Sequence, residues 1–188
     1  MNSRRRAGQK AWSGGESWES FVSDHLDLLA RRGLLVWHRS QQPFRAFRHR
    51  DGKLYYIPLG KGPTDYHLLS AGLSLALEAK SCSEPRWYLA QLKAHQAQAL
   101  EAHGAQGGYG AIALWHRPTD QRVVIPWSRL RPIWMRWHTG HVAQGEASLT
   151  AEQIGGLGVV MDTEGAWVEW FRRGSTAHPE STRAPCSE

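Results

Sequence analysis

The stretch from Thr64 to Lys80 constrains this chain most, because as a hairpin it admits only one register. Ser70-Ala71-Gly72 is a turn signal between two runs, Thr64 to Leu69 and Leu73 to Lys80. With Ala71 and Gly72 as the loop residues, Ser70 faces Leu73 and Asp65 falls opposite Glu78. Side chains alternate along a strand, so Tyr66, Leu68, Leu73, Leu75 and Leu77 share an apolar face suited to packing on helices. The other face carries Asp65, Glu78 and Lys80 above the small Ser74 and Ala76. A slip of one residue would scatter this arrangement.

The polar face is the chemical anomaly. An Asp and a Glu directly opposed, with Cβ atoms about 5 Å apart, repel unless a cation or proton lies between them. A divalent metal is the natural remedy. Oxygen ligands that leave positions open favour Mg²⁺, with Mn²⁺ as a substitute. Such an ion polarises a phosphodiester and lowers the pKa of bound water, while a nearby Lys orients the nucleophile or neutralises developing charge. A Glu-x-Lys triplet alone is usually a solvent-facing ion pair; Asp65 in cross-strand register sets this one apart.

The rest of the chain fits one α/β domain. Its 188 residues suit a single core, and no apolar run approaches the roughly 20 residues that span a bilayer. Residues 1–13 read as a flexible basic arm holding Arg4, Arg5 and Arg6; 14–173 as the domain; 174–188 as a disordered tail. The arginines lack the apolar segment of an export signal. Two cysteines, Cys82 and Cys186, give no disulfide framework, which fits a reducing, intracellular setting. Helical spacing of Trp18, Phe21, Val22, His25, Leu28 and Leu29 predicts a helix from about Gly14 to Arg32, and Leu34 to Arg39 a strand. Ser81 with Glu84 has capping-box spacing, so a second helix is expected through Pro85 to about His103. Strands follow at Tyr109 to Trp115 and Arg122 to Pro126, Trp127 to Trp137 stays unassigned, and helices close the domain at Leu149 to Ile154 and Ala166 to Arg173.

Charge indicates the partner. Lys plus Arg number 23 against 17 Asp plus Glu, a net charge of +6, and 18 of the 23 are Arg, whose planar fork suits phosphate. A polyanion is the first expectation. Residues 42–62 concentrate Phe44, Arg45, Phe47, Arg48, Arg50, Lys53, Tyr55, Tyr56 and Lys61 around an Asp51-Gly52 turn. This hairpin is either a projection whose cations follow phosphates and whose rings stack on unpaired bases, or an amphipathic element folded onto its own core. Trp127, Trp134 and Trp137, with Arg129, Arg131 and Arg136, are core by default and otherwise a DNA or subunit contact. Gln96, four residues after Leu92 on an apolar helical face, needs a partner. It braces Lys80 or a phosphate, or makes a purely structural hydrogen bond.

These motifs, in this order, resemble the PD-(D/E)XK nuclease superfamily and, more closely, the RecU-type Holliday junction resolvases. Gly15-Glu16-Ser17-Trp18-Glu19 is similar to the family's Gly-led acidic helix. Thr64-Asp65-Tyr66 and Leu77-Glu78-Ala79-Lys80 are similar to its two motif strands, and His95-Gln96 to its His-Gln pair. The likeness runs from about Gly15 to Trp127 and more weakly over Ala147 to Phe171. It implies a restriction-endonuclease-like core: a mixed central sheet flanked by helices, with residues 42–62 as a stalk shorter than the family's usual one. It further implies that Asp65, Glu78 and the Ala79 carbonyl hold the metal, that Lys80 handles the attacking water, and that Glu19 serves the metal's second side.

The function so implied is a cytoplasmic, bacterial or phage-encoded DNA endonuclease. As a homodimer it would resolve four-way junctions by paired symmetric nicks, leaving 5′-phosphate and 3′-hydroxyl ends. The alternatives are a PD-(D/E)XK nuclease for a flap, an end or a restriction site, and a non-catalytic basic DNA-binding module.

Overall fold

The structure is a computed structural model that describes residues 18–40, 44–48, 50, 54–58, 62–70, 72–141, 147–161, 166–167 and 170, with the backbone alone for 44–48 and 54–58. The Thr64 to Lys80 hairpin forms in the expected register. β4 (Tyr66–Ser70) pairs antiparallel with β5 (Leu73–Cys82), Tyr66 opposite Leu77 and Ser70 opposite Leu73. Gly72 has φ 81°, the left-handed conformation that only glycine adopts without strain, which fixes the turn at its expected place.

The hairpin is the middle of a six-stranded mixed sheet ordered β1-β4-β5-β7-β8-β10. β1 (Val36–Arg39) lies antiparallel outside β4. β7 (Tyr109–His116) runs parallel to β5 after the crossover through α2 (Ala94–Ala105). β8 (Gln121–Pro126) and the short β10 (Val159–Val160) complete the other side with antiparallel pairings. α1 (18–31) covers one face, burying Trp18, Val22, Leu26 and Leu29 at helical spacing against Tyr66, Leu68, Leu75 and Leu77. The Trp18 indole donates to the Ala113 carbonyl (3.0 Å), and the Tyr66 hydroxyl to the Glu19 carbonyl (2.9 Å). α2 and α3 (Trp127–His138) cover the other face over Ala76, Ile112 and Leu114. β7 therefore divides by parity: Ala111 and Ala113 face α1, while Ile112 and Leu114 face α2 and α3.

A separate two-stranded sheet, β2 (Phe44–Arg48) with β3 (Leu54–Pro58), is inserted between β1 and β4. Its register runs from Phe44 opposite Pro58 to Arg48 opposite Leu54, and the Asp51-Gly52 turn expected from sequence lies outside the described residues. Its base is closed by a hydrogen bond from the Ser40 amide to the Asp65 carbonyl (2.8 Å), so the hairpin leaves the sheet beside the residue singled out by sequence.

Two expectations are corrected. No helix begins at Ser81: β5 continues through Cys82, and β6 (Arg86–Tyr88) pairs with β9 (Ser148–Thr150) before a single 3₁₀ turn leads into α2. The Arg86 guanidinium donates to the Ser148 hydroxyl (2.7 Å) and carbonyl (2.9 Å), while Trp87 is wholly buried. A pairing with a segment far along the chain thus overrides the local capping pattern. Leu149 belongs to β9, not to a helix; α4 (Ala151–Leu157) starts after it, with Thr150 and Gln153 exchanging the two capping bonds. Trp127 to Trp137 is helical, and Trp127 and Trp134 are buried in the α2 side of the core. The arm (1–13), the tail (174–188), Lys53 and Lys61 lie outside the described residues.

Candidate active site

Antiparallel register brings the start of β4 against the middle of β5, and the side chains complete what the backbone begins. Asp65 Oδ2 accepts the Ala79 amide proton at 2.8 Å, which clamps the carboxylate across the strand pair. Glu78, 1% exposed, points to the α2 face. Its Oε1 accepts from Lys80 Nζ (2.6 Å) and from the Gln96 amide nitrogen of α2. Gln96 Oε1 in turn accepts from the Lys93 amide (2.9 Å), so one side chain both caps the first turn of α2 and holds the glutamate.

Burial pushes the Glu78 carboxyl up from 4.5 to about 7; Lys80 opposes the rise and the Asp65 charge adds to it. An acid raised towards neutrality by burial, beside an ammonium in a sheet crevice, is a candidate functional site. Glu78 Oε2 is buried and has no hydrogen-bond partner. An orphaned anionic oxygen is costly to leave unpaired, and a cation between it and Asp65 would satisfy it. The donors are hard oxygens, the chemistry that Mg²⁺ selects. Among the described residues no group of three or more His, Cys, Asp and Glu converges, so a metal here would rely on two carboxylates plus backbone oxygen and water.

The structure brings Asp65, Glu78, Ala79, Lys80 and Gln96 together. Gln96 donates to Glu78, where the sequence left open Lys80, a phosphate or a purely structural hydrogen bond. Glu19 is on α1, and its carboxylate is ion-paired with Arg39 of β1. Arg39 Cζ also stands 6.0 Å from the centre of the Tyr66 ring. That arginine was not singled out by sequence; its alternation with His38 on an edge strand was the available signal. Arg45, Arg48, Tyr55 and Tyr56 lie on β2 and β3, and Arg50 is exposed at their connection. Of the α3 cations, Arg131 is ion-paired with Glu101 (2.7 Å), and Trp134 stacks on His138 at 4.4 Å between ring centres.

Beside the carboxylates, burial and the nearby His38 and His103 push the His67 imidazole below its ordinary value. No helix among the described residues is long and apolar enough to cross a membrane.

No curated protein matches the chain. A Holliday junction resolvase, Hjc, from Archaeoglobus fulgidus is similar in structure, with 17% identity, a TM-score of 0.43, and coverage of 77% of this chain and 93% of that one. The sequence model of the family RecU, Recombination protein U, matches residues 32–165. That span is well over half of the chain and includes Asp65, Glu78, Lys80 and Gln96, and the chain belongs to the RecU family.

Proposed function

We propose that this RecU-family Holliday junction resolvase, a DNA endonuclease, cuts by metal-dependent hydrolysis at Asp65, Glu78, Lys80 and Gln96. What supports the reading is the buried Glu78 carboxylate, close to the Asp65 carboxylate and bonded to the Lys80 ammonium, with no donor on its Oε2. Asp65 and Glu78, with the Ala79 carbonyl, would hold the ion, and Mg²⁺ is the preferred one, with Mn²⁺ able to replace it. When bound, it supplies Lewis-acid polarisation of the phosphodiester and a lowered pKa for coordinated water.

The residues of the chain do the rest. Asp65 is held beside its partner carboxylate by the hydrogen bond from the Ala79 amide. Gln96 holds Glu78 in one rotamer through a bond that also caps α2, so metal geometry is tied to helix position. The Lys80 ammonium orients the attacking water and offsets charge developing on the phosphoryl oxygens. Glu19, once released from Arg39, serves the second side of the ion. Attack of water at phosphorus expels the 3′ oxygen, leaving a 5′-phosphate and a 3′-hydroxyl.

A four-way junction presents two symmetry-related strands, so a twofold homodimer would place one site at each, and paired nicks would resolve it. The β2–β3 hairpin, rooted at Asp65, is the stalk that meets the branch point; Arg45, Arg48, Arg50, Lys53 and Lys61 follow phosphates, and Tyr55 and Tyr56 stack on bases. Arg4, Arg5 and Arg6 add a basic arm to the nuclease domain of residues 14–173. The protein works in the cytoplasm of a bacterial cell, encoded by that cell or by a phage within it.

The test uses a synthetic immobile four-way junction and a linear duplex, each with and without Mg²⁺. Symmetric nicks confined to the junction are expected, and only with the metal. Cutting of linear DNA would point instead to a nuclease of another specificity, and binding without cutting to a non-catalytic module. Asp65→Asn and Lys80→Ala should abolish cleavage while junction binding persists. Full cleavage by both variants would place the chemistry elsewhere.

A further inference from the structure

The sheet face that carries the two carboxylates continues into a cleft that the cleavage chemistry does not use. Side chains two apart on a strand share a face and lie about 7 Å apart, which puts His67 one step beyond Asp65 and Ser74 two steps beyond Glu78. α2 lies over this face. Gln96 meets Glu78, and two turns later His103 Nε2 stands 3.2 Å from Ser74 Oγ. The His103 ring also packs against His67, 5.9 Å between centres. On the edge strand His38 pairs with His67 and Val36 with Leu69, and the two imidazoles stack at 5.2 Å and 18°. Val36 and Leu69, 63% and 49% exposed, complete the wall. The cavity so formed has a volume of about 480 Å³.

The lining selects its occupant. Among the described residues around the cavity there is no Lys, Arg, Asp or Glu, so a phosphate would find no full cation. A metal would need converging donors, and no group of three among the described residues provides them. Aliphatic side chains left in water beside stacked imidazoles, with the His38 ring nitrogens at the edge strand, suit a flat solute with an apolar face and a hydrogen-bonding edge; Ser74 Oγ and His67 Nε2 are already engaged by His103 and Thr64. A nucleobase is such a solute, and the volume is within the roughly 300–1,000 Å³ of small-ligand sites. Contiguity with Asp65 and Glu78 makes the strand being cut the source within reach.

We propose that the cleft formed by Val36, His38, His67, Leu69 and Ser74 receives an unstacked base from a nucleotide adjacent to the scissile bond. It thereby adds binding energy at that nucleotide and sets a base preference. The inference rests on the reading of Asp65 and Glu78 as the nuclease centre. Taking a base out of its stack costs least where stacking is already broken, as at a branch point.

The experiment scans an abasic substitution, one position at a time, across the two nucleotides on either side of the cut. Wild type is compared with His38→Ala, and with Val36→Ser as a second variant should the first fold poorly. One abasic position is expected to raise the wild-type KM about fivefold or more, as loss of one base–ring stack does, with kcat nearly unchanged. Either variant should raise KM similarly on the intact junction and should then be insensitive to base removal at that position. A binding readout accompanies it: 2-aminopurine at the sensitive position should brighten with Asp65→Asn protein and stay dim with Asp65→Asn combined with His38→Ala.

Multiplicative effects of variant and abasic site, or insensitivity at every position, overturn the base-binding cleft while leaving the nuclease in place. So does a variant that changes only the sedimentation coefficient, which would make the cleft a protein contact. If wild type cuts no junction in Mg²⁺, the proposed function falls and this inference with it.

Discussion

Burial of Glu78 makes a prediction about stability that needs no DNA. Its carboxyl is raised from 4.5 to about 7, with burial as the largest cause, and its side chain is 1% exposed. Between these two values the folded protein binds a proton that the unfolded chain has released. The stabilisation is therefore fully present below 4.5 and is lost as pH rises through 7. A rise of this size corresponds to about 3 kcal/mol. Glu78→Gln replaces the acid with a neutral isostere and removes that linkage. The Lys80 ion pair is already part of that value, because it opposes the rise that burial causes.

The measurement is urea unfolding of both proteins in EDTA, from pH 4.5 to 8.5. The difference in unfolding free energy should move by about 3 kcal/mol in favour of Glu78→Gln across the series. Groups common to both proteins cancel. Mg²⁺ at one hundred times its Kd should then restore about 2.7 kcal/mol to wild type at pH 8, and nothing to the variant. A difference that stays flat with pH would refute the argument, because it would mean that the glutamate is solvated or already compensated in the folded state.

Cleavage at subsaturating Mg²⁺ should rise with pH through about 7 as Glu78 loses its proton, and more Mg²⁺ should move this limb to lower pH; pH–rate profiles at two metal concentrations check it. Gln96→Ala should cost about 1 kcal/mol by releasing the Lys93 amide, and should weaken Mn²⁺ binding roughly 10- to 100-fold by freeing Glu78; urea unfolding and Mn²⁺ titration measure the two losses separately. Trp18→Phe should lower stability by about 1 kcal/mol, since the buried hydrogen bond from the indole to the Ala113 carbonyl is lost, with junction cleavage by the remaining folded protein unchanged. Arg39→Ala should cost no more than about 1 kcal/mol, because that guanidinium is over half exposed, and unfolding in low and high salt should show the small loss disappearing.

The Asp65–Glu78 juxtaposition was legible in the chain because a hairpin couples two local signals, a period of two and a turn that fixes register, and both lie within 17 residues of sequence, from Thr64 to Lys80. Helix α1 was legible for the same reason, its buried side chains recurring at the helical period. The RecU resemblance followed from the order of such short motifs. Tertiary structure alone decided what depends on distant partners. β6 exists because a segment some 60 residues later lies beside it, a contact that no local spacing announces. Gln96 was visible as a polar residue needing a partner, but that the partner is Glu78 depends on how α2 crosses the sheet. The raised Glu78 carboxyl, the Arg39–Glu19 pair and the histidine-lined cleft likewise arise where separate elements converge. Periodicity records which face a residue occupies; it does not record what other element comes to lie on that face, and burial and charge are set there.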